Sequence, residues 1–292
     1  MLGFIGLGRM GGPMSTRLVQ AGHALIGFDV AGTRERLPDG ASPAASVAEV
    51  AQHAETVFLS LPTGDDSLAV CQEVLAARRR ATKTVVDLST IGIASARACA
   101  GLLEPNGVQY VDAPVSGGVA GAVAGSLALM VGAPQPVFEA LEPVWSAIAQ
   151  NRFRMGDTPG QGQAMKLVNN YIFAAALAAT AEGVVLGTRL GLDPAQVVEV
   201  LNVSSGRTLA SQLLFPKSVI PGTYDFGFSG TLMAKDVRLY LESASQAGVA
   251  HALAERVVEL WREVSDAYPG EDCTTVHKYA EATSAQGSPL VT

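Results

Sequence analysis

Residues 5–14 read Ile5-Gly6-Leu7-Gly8-Arg9-Met10-Gly11-Gly12-Pro13-Met14, directly after the apolar run Leu2 to Ile5. The glycines Gly6, Gly8 and Gly11 are spaced G-x-G-x-x-G. A helical stretch follows to Ala21, then Ala24-Leu25-Ile26-Gly27-Phe28, closed by the acid Asp29. A glycine-rich loop alone is only a loop. Strand, glycines, helix, strand and terminal acid in that order are a dinucleotide-binding βαβ unit. Gly6 allows the tight turn, Gly8 the approach of a pyrophosphate, and Gly11 the packing of helix on strand. Leu7, Arg9 and Met10 complete the expected cofactor loop. The anion would sit on the free N–H groups of the helix start.

Working outward, residues 1–112 alternate strand and helix. Strand-like runs recur at 56–61, 84–88, 108–111 and 126–132, with short helical patterns at 46–53, 65–77 and 92–104. Continuous apolar strands between helices indicate a parallel sheet covered on both faces. Pro134 opens a further helix to about Ala149. At 158–162 Thr-Pro-Gly-Gln-Gly breaks the pattern, and no convincing strand follows. Helical stretches fall near 163–191, 194–203, 207–219, 229–247 and 250–267. Asp193-Pro194 is an N-cap with proline at the first helical position. The expected architecture is therefore α/β: a Rossmann domain over 1–162, then an all-helical domain over 163–292, entered through one long helix. The tail after about Ala282 is polar and small, and reads as mobile.

The chain has 292 residues, 48% hydrophobic and 16% charged, with a formal net charge of −7. Low charge suits a large core or surface hidden in an oligomer, so a homodimer or homotetramer is expected. Nucleic acid is excluded as a partner, because the one basic run, Arg78-Arg79-Arg80, is too short for a binding stripe. Cys71, Cys99 and Cys273 are far apart and odd in number, as reduced cytoplasmic thiols are. No Cys/His spacing suggests a metal site. No signal peptide is expected, since strand-like sequence begins at residue 2. The segment 171–192 is apolar but contains Glu182 and Arg189, which favours a buried or interface helix over a membrane span.

Four stations carry candidate chemistry. Leu61-Pro62-Thr63 and Leu88-Ser89-Thr90 lie at carboxyl ends of strands, where open α/β sheets bind ligands. They suit walls for the dinucleotide, and equally ordinary turns. Ser116-Gly117-Gly118, after Asp112-Ala113-Pro114-Val115, offers a hydroxyl beside free backbone N–H groups that can hold a carboxylate or phosphate. The stretch 160–170 contains Lys166 and Asn170, four apart and so about 40° apart on one helix face. Both would be costly to bury without a job. Glu182 lies about 160° round the same helix, outside the site. In 228–236, Lys235 could reach a cofactor, or could be a surface lysine beside an acid.

In these four stretches, 6–14, 112–118, 160–170 and 231–236, the chain resembles the β-hydroxyacid dehydrogenase family, a 6-phosphogluconate dehydrogenase-like group that includes 3-hydroxyisobutyrate dehydrogenase and tartronate semialdehyde reductase. They occur in family order and cover nearly the whole chain. The resemblance implies an oxidoreductase with its active site in the cleft between the two domains, and the reduced thiols place it in the cytoplasm. It implies Lys166 as catalytic acid/base, Asn170 as positioner, Ser116, Gly117 and Gly118 as the site for a small carboxylate-bearing substrate, and Lys235 near the cofactor. Lysine at its ordinary pKa of about 10.4 is a poor base at neutral pH. Burial and the charge of NAD⁺ would both disfavour its ammonium form. Asp29 can accept both ribose hydroxyls and repels a 2′-phosphate, which favours NAD, with NADP possible if Arg34 neutralises the acid. The alternatives are an NADPH-dependent reductase of tartronate or succinic semialdehyde and a non-catalytic dinucleotide-binding protein. The Lys166/Asn170 pair argues against the latter, as it does against imine reductases, which share the architecture and usually lack that lysine.

Overall fold

In the computed structural model, residues 1–285 are described, and they divide into two compact units, Met1–Lys166 and the chain from Leu167 onward. The first unit is built on strands β1 (Leu2–Ile5), β2 (Leu25–Phe28), β3 (Ser42–Pro43), β4 (Thr56–Leu59), β5 (Thr84–Asp87), β6 (Gln109–Asp112), β7 (Val115–Ser116), β8 (Leu127–Gly132) and β9 (Ala149–Gly156). Their order is β3-β2-β1-β4-β5-β6-β8-β7, with β9 also on β8. β1 to β6 run parallel; β8 is antiparallel to both β6 and β7.

Strand side chains alternate between two cores, as a period of two requires when both faces are covered. Phe4, Phe58, Val86 and Val111 point to one face and meet Met14, Leu18 and Trp145. Ile5, Val57, Leu59, Val85 and Tyr110 point to the other and meet Val50, Cys71 and Cys99. The Phe4 and Phe58 rings lie 6.1 Å apart, with Trp145 edge-on to Phe58 at 6.3 Å. Each such fully buried side chain contributes about 1.5–3 kcal/mol of transfer free energy.

The second unit contains no strand among the described residues. The helix Gln161–Arg189 continues into it and supplies Ala174, Leu177, Ala181 and Val184 to its core. Helices Pro194–Val203, Gly230–Gln246 and Ala252–Ala267 close round them, with the wider π-type turn of Ala210–Val219. Asp193 caps the first of these by accepting from Ala195 N at 2.7 Å and Gln196 N at 3.1 Å. In Ala252–Ala267, Ala254, Val257, Trp261 and Val264 form the buried stripe. Trp261 Nε1 donates to Ala174 O at 3.3 Å.

Three local readings need correction. The helix expected from Pro134 to Ala149 is two, Gln135–Ala140 and Glu142–Ile148, because Pro143 has no N–H for Glu139 O and its ring would crowd that carbonyl, so it is tolerated only in the first turn of a new helix. β9 lies where no strand was expected; its sequence, Ala-Gln-Asn-Arg-Phe-Arg-Met-Gly, is polar because it is half-exposed and pairs with β8 alone. A further helix, Val276–Ala285, follows the Asp272 cap and takes up the start of the expected tail. The rest of that tail, 286–292, lies outside the described residues. The helix Gln161–Arg189 is long and apolar enough to cross a bilayer, but 44% of its most apolar window is buried inside the protein, as a core helix is.

Candidate active site

β1 and β4 are neighbours, yet the chain leaves β1 for β2 on its other side. That reversal opens a crevice at the carboxyl ends of the two strands, the usual ligand position in such sheets. The loop after Ile5 and the loop after Leu59 meet there. Gly6 has φ +90°, and a Cβ on it would lie 2.3 Å from Ser60 O. A Cβ on Gly11 would lie 1.8 Å from Gly6 O, so helix Gly11–Gln20 can approach β1 only through glycine. Gly8 is different: it is exposed, and nothing lies within 4 Å of an added Cβ. The open space over Gly8 beside a helix start with no side-chain cap fits a pyrophosphate.

Asp29 ends up buried at 8% exposure beside this loop. Its Oδ2 accepts from Leu7 N at 2.7 Å, and Oδ1 from Ala31 N at 2.8 Å. The Leu7 N–H is thus held by the acid, and its side chain is buried in the core. The arginine that meets Asp29 is Arg36, at 3.3 Å, rather than Arg34. The short helix Thr33–Arg36 turns Arg36 back toward the strand end. At the β4 and β5 ends, Leu61 N donates to Ser89 Oγ at 2.8 Å, joining the two loops. Thr63 is engaged in a capping box with Asp66 for helix Gly64–Ala76, the turn chemistry open from the sequence.

Ser116 lies in β7, opposite Ala128 of β8. Gly117 and Gly118 follow with φ of +133° and +63°, a region that favours glycine. Asp112, at the end of β6, does not face this loop. Its Oδ1 accepts from Gly160 N and its Oδ2 from Gln163 N, both at 2.8 Å. It therefore fixes the first turn of helix Gln161–Arg189. Burial pushes the Asp112 carboxyl up to about 6, although the two backbone donors favour its ionised form. Gln163 is fully buried and binds the 89–92 backbone.

Lys166 lies on the next turn and is 8% exposed; Asn170, one turn further, is 5% exposed. The Asn170 amide is held at both ends. Its Oδ1 accepts from Asn169 Nδ2 at 2.9 Å, and its Nδ2 donates to Asp236 Oδ2 at 2.5 Å. Asp236 is 2% exposed, and its other oxygen lies 3.3 Å from Lys235 Nζ. The lysine and the acid of 235–236 are thus a pair tied to Asn170, a link the sequence did not reveal. Arg36, Gln163 and Asp236 are the participants that sequence reasoning missed. For Gln163 and Asp236 the signal available was a polar residue inside an otherwise buried pattern, which names no partner; Arg36, in a helix with no buried residue, gave no such signal. Among the described residues, no group of three or more His, Cys, Asp or Glu could hold a metal ion.

The pattern of the NAD binding domain of 6-phosphogluconate dehydrogenase matches residues 1–156. That described as NAD-binding of NADP-dependent 3-hydroxyisobutyrate dehydrogenase matches 160–280. The 3-hydroxyisobutyrate dehydrogenase of Pseudomonas aeruginosa is 36% identical over 95% of this chain and 97% of its own length. The chain belongs to the β-hydroxyacid dehydrogenase family. Another relative, the 2-(hydroxymethyl)glutarate dehydrogenase of Eubacterium barkeri, is 38% identical over 85% of this chain and 83% of its own. The solved structure of Mycobacterium tuberculosis 3-hydroxyisobutyrate dehydrogenase with L-serine superposes with a TM-score of 0.87 at 33% identity, covering 95% of this chain and 98% of that one. This β-hydroxyacid dehydrogenase is accordingly an NAD(P)-dependent enzyme acting on a CH–OH group.

Proposed function

We propose that the enzyme interconverts a small β-hydroxy acid and its semialdehyde in the manner of 3-hydroxyisobutyrate dehydrogenase, with Lys166 as general acid/base and NAD as the preferred cofactor. The observation that carries this reading is the buried Lys166 and Asn170 on one helix face, with the Asn170 amide locked by Asn169 and Asp236. A buried lysine beside an oriented amide is costly without a proton to move. Residues Gly6, Gly8, Arg9, Met10 and Gly11, with Asp29, Leu61, Pro62, Thr63, Thr90 and Lys235, are assigned to the cofactor, and Leu7 anchors that loop to Asp29 and the core. Bound NAD(P) supplies hydride acceptance and donation at its nicotinamide. Lys166 Nζ takes the hydroxyl proton in oxidation and returns it in reduction. Asn170 orients the hydroxyl, and the Ser116 hydroxyl with the Gly117 and Gly118 N–H groups holds the carboxylate, so that the substrate is fixed at both ends.

Relatives named for 2-(hydroxymethyl)glutarate and 3-hydroxyisobutyrate support the substrate class. Both compounds carry a primary alcohol β to a carboxylate. We place the enzyme in the cytoplasm as a homodimer or homotetramer. Met165, Val168, Ile172 and Leu186 are all exposed and lie within about 60° of one another on helix Gln161–Arg189, with exposed Leu190 just past its end, an apolar stripe that a second copy would cover.

One observation favours an NADPH-dependent semialdehyde reductase instead. Arg36 pairs with Asp29 from a half-exposed position, from which it can turn to a 2′-phosphate. Initial rates with short β-hydroxy acids, each with NAD⁺ and with NADP⁺, test the proposal. Turnover of a β-hydroxy acid with preference for NAD⁺ is expected; no turnover of any of them would refute it.

A further inference from the structure

Gln163 is fully buried in the first unit. Its Oε1 accepts from Ile91 N at 3.0 Å and from Gly92 N at 3.1 Å. Its Nε2 donates to Ser89 O at 2.8 Å. These three backbone groups stand on both sides of Thr90. They also open helix Ile93–Leu103, whose N-cap Gly92 offers no side-chain acceptor of its own. Gln163 thus holds the backbone N–H of the N-cap and of the residue before it, and fixes how the chain enters this helix. Its own backbone N–H is tied to Asp112, and Lys166 follows three residues later on the same helix. Ser89, at the far side of the glutamine, accepts from Leu61 N through its hydroxyl and donates its N–H to Asp87 at 2.9 Å. One buried side chain thus joins the strand-end loops at 61 and 90 to the helix turn that carries Lys166.

We propose that Gln163 is a positioning residue that holds the Thr90 loop and Lys166 in fixed register. The inference rests on the proton-transfer role of Lys166. No other side chain type keeps both acceptance from two N–H groups and donation to one carbonyl at this length, except a glutamic acid in its neutral form. A helix start fixed by Asp112 alone would leave Ser89 O, Ile91 N and Gly92 N to find other partners, and the loop would move relative to the lysine. Small misplacements of reacting groups are enough to cost about 10²-fold in rate.

The test compares wild type with Gln163→Met, Gln163→Glu and Lys166→Ala. Amide hydrogen exchange is followed in the cofactor-free protein, the NADH dissociation constant by fluorescence, and kcat with the best β-hydroxy acid. In Gln163→Met, exchange at Ile91 and Gly92 should quicken at least about tenfold more than in β1, β4 and β5, and kcat should fall about 10²-fold. Gln163→Glu should recover at least about tenfold of that loss, because burial keeps its carboxyl neutral, so that it accepts from both N–H groups and still donates to Ser89 O. Uniformly faster exchange across the sheet, or kcat in Gln163→Met within about threefold of wild type, would overturn the proposal. So would a Gln163→Glu enzyme no better than Gln163→Met. If Lys166→Ala keeps its rate, the acid/base role fails, while the exchange readout still decides whether Gln163 holds the loop.

Discussion

Replacing Asp29 with asparagine should shift the enzyme toward NADP(H). A carboxylate about 4 Å from one charge of a 2′-phosphate costs about 4 kcal/mol at an effective dielectric near 20. The Arg36 guanidinium, 3.3 Å from the same carboxylate, offsets part of that, and salt trims it further. The remaining penalty of about 2–3 kcal/mol corresponds to roughly 30- to 150-fold in relative kcat/KM. Asparagine also loses grip on the glycine loop. It can accept from Leu7 N or Ala31 N but presents an NH₂ to the other, whereas Asp29 accepts from both. kcat/KM with NAD⁺ should therefore fall while that with NADP⁺ rises. The converse variant, Arg36→Ala, unmasks the carboxylate and should sharpen the preference for NAD⁺. Initial rates with both cofactors on one β-hydroxy acid read the effect directly. A cofactor ratio unchanged within about threefold in Asp29→Asn, or a shift toward NADP⁺ in Arg36→Ala, would refute this electrostatic reasoning.

Asp236→Leu should lower kcat at least about tenfold by releasing the Asn170 amide, and the loss should nearly vanish when measured on an Asn170→Ala background; additive losses would mean that Asp236 acts elsewhere, through Lys235 first. Asp112, raised from an ordinary 3.8 to about 6, takes up a proton in the folded state before the unfolded chain does. Its contribution to stability is therefore fully present below about pH 4 and lost as pH rises through 6, a change of about 3 kcal/mol. Urea unfolding of wild type and Asp112→Asn from pH 4 to 7.5 should show a stability difference that varies across this window; a constant difference would contradict it. Light scattering at micromolar concentration should give a multiple of the 30.1 kDa chain, and Ile172→Glu with Leu186→Glu should reduce it to one. A monomeric wild type would leave the apolar stripe unexplained.

The glycine loop was legible because each of its residues answers a local need: Gly6 a positive φ, Gly11 a close approach, Asp29 the end of the next strand. The Lys166 and Asn170 face was legible from helical spacing alone. Partnerships across distance were not. Asn170 meets Asp236 sixty-six residues later, and Gln163 meets Ile91 seventy-two residues earlier, so nothing in either neighbourhood names the other. Arg34 and Arg36 look alike in the sequence, and only the turn of Thr33–Arg36 selects the second. β9 escaped because pairing with β8, rather than an apolar pattern of its own, holds it. Pro143 was a visible breaker inside an expected helix, and the break occurs beside it.

The most direct test is kcat for Lys166→Ala with NADH binding measured in parallel. If Lys166 moves the proton, kcat should fall by about 10²–10⁴ or more while NADH binding persists. Lys166→Arg should fail as well, since guanidinium does not deprotonate in this range. Wild-type oxidation should lose rate on the acidic side, where an ammonium cannot accept the hydroxyl proton. A near-normal kcat in Lys166→Ala would contradict the assignment and move the acid/base role to another residue, Lys235 first.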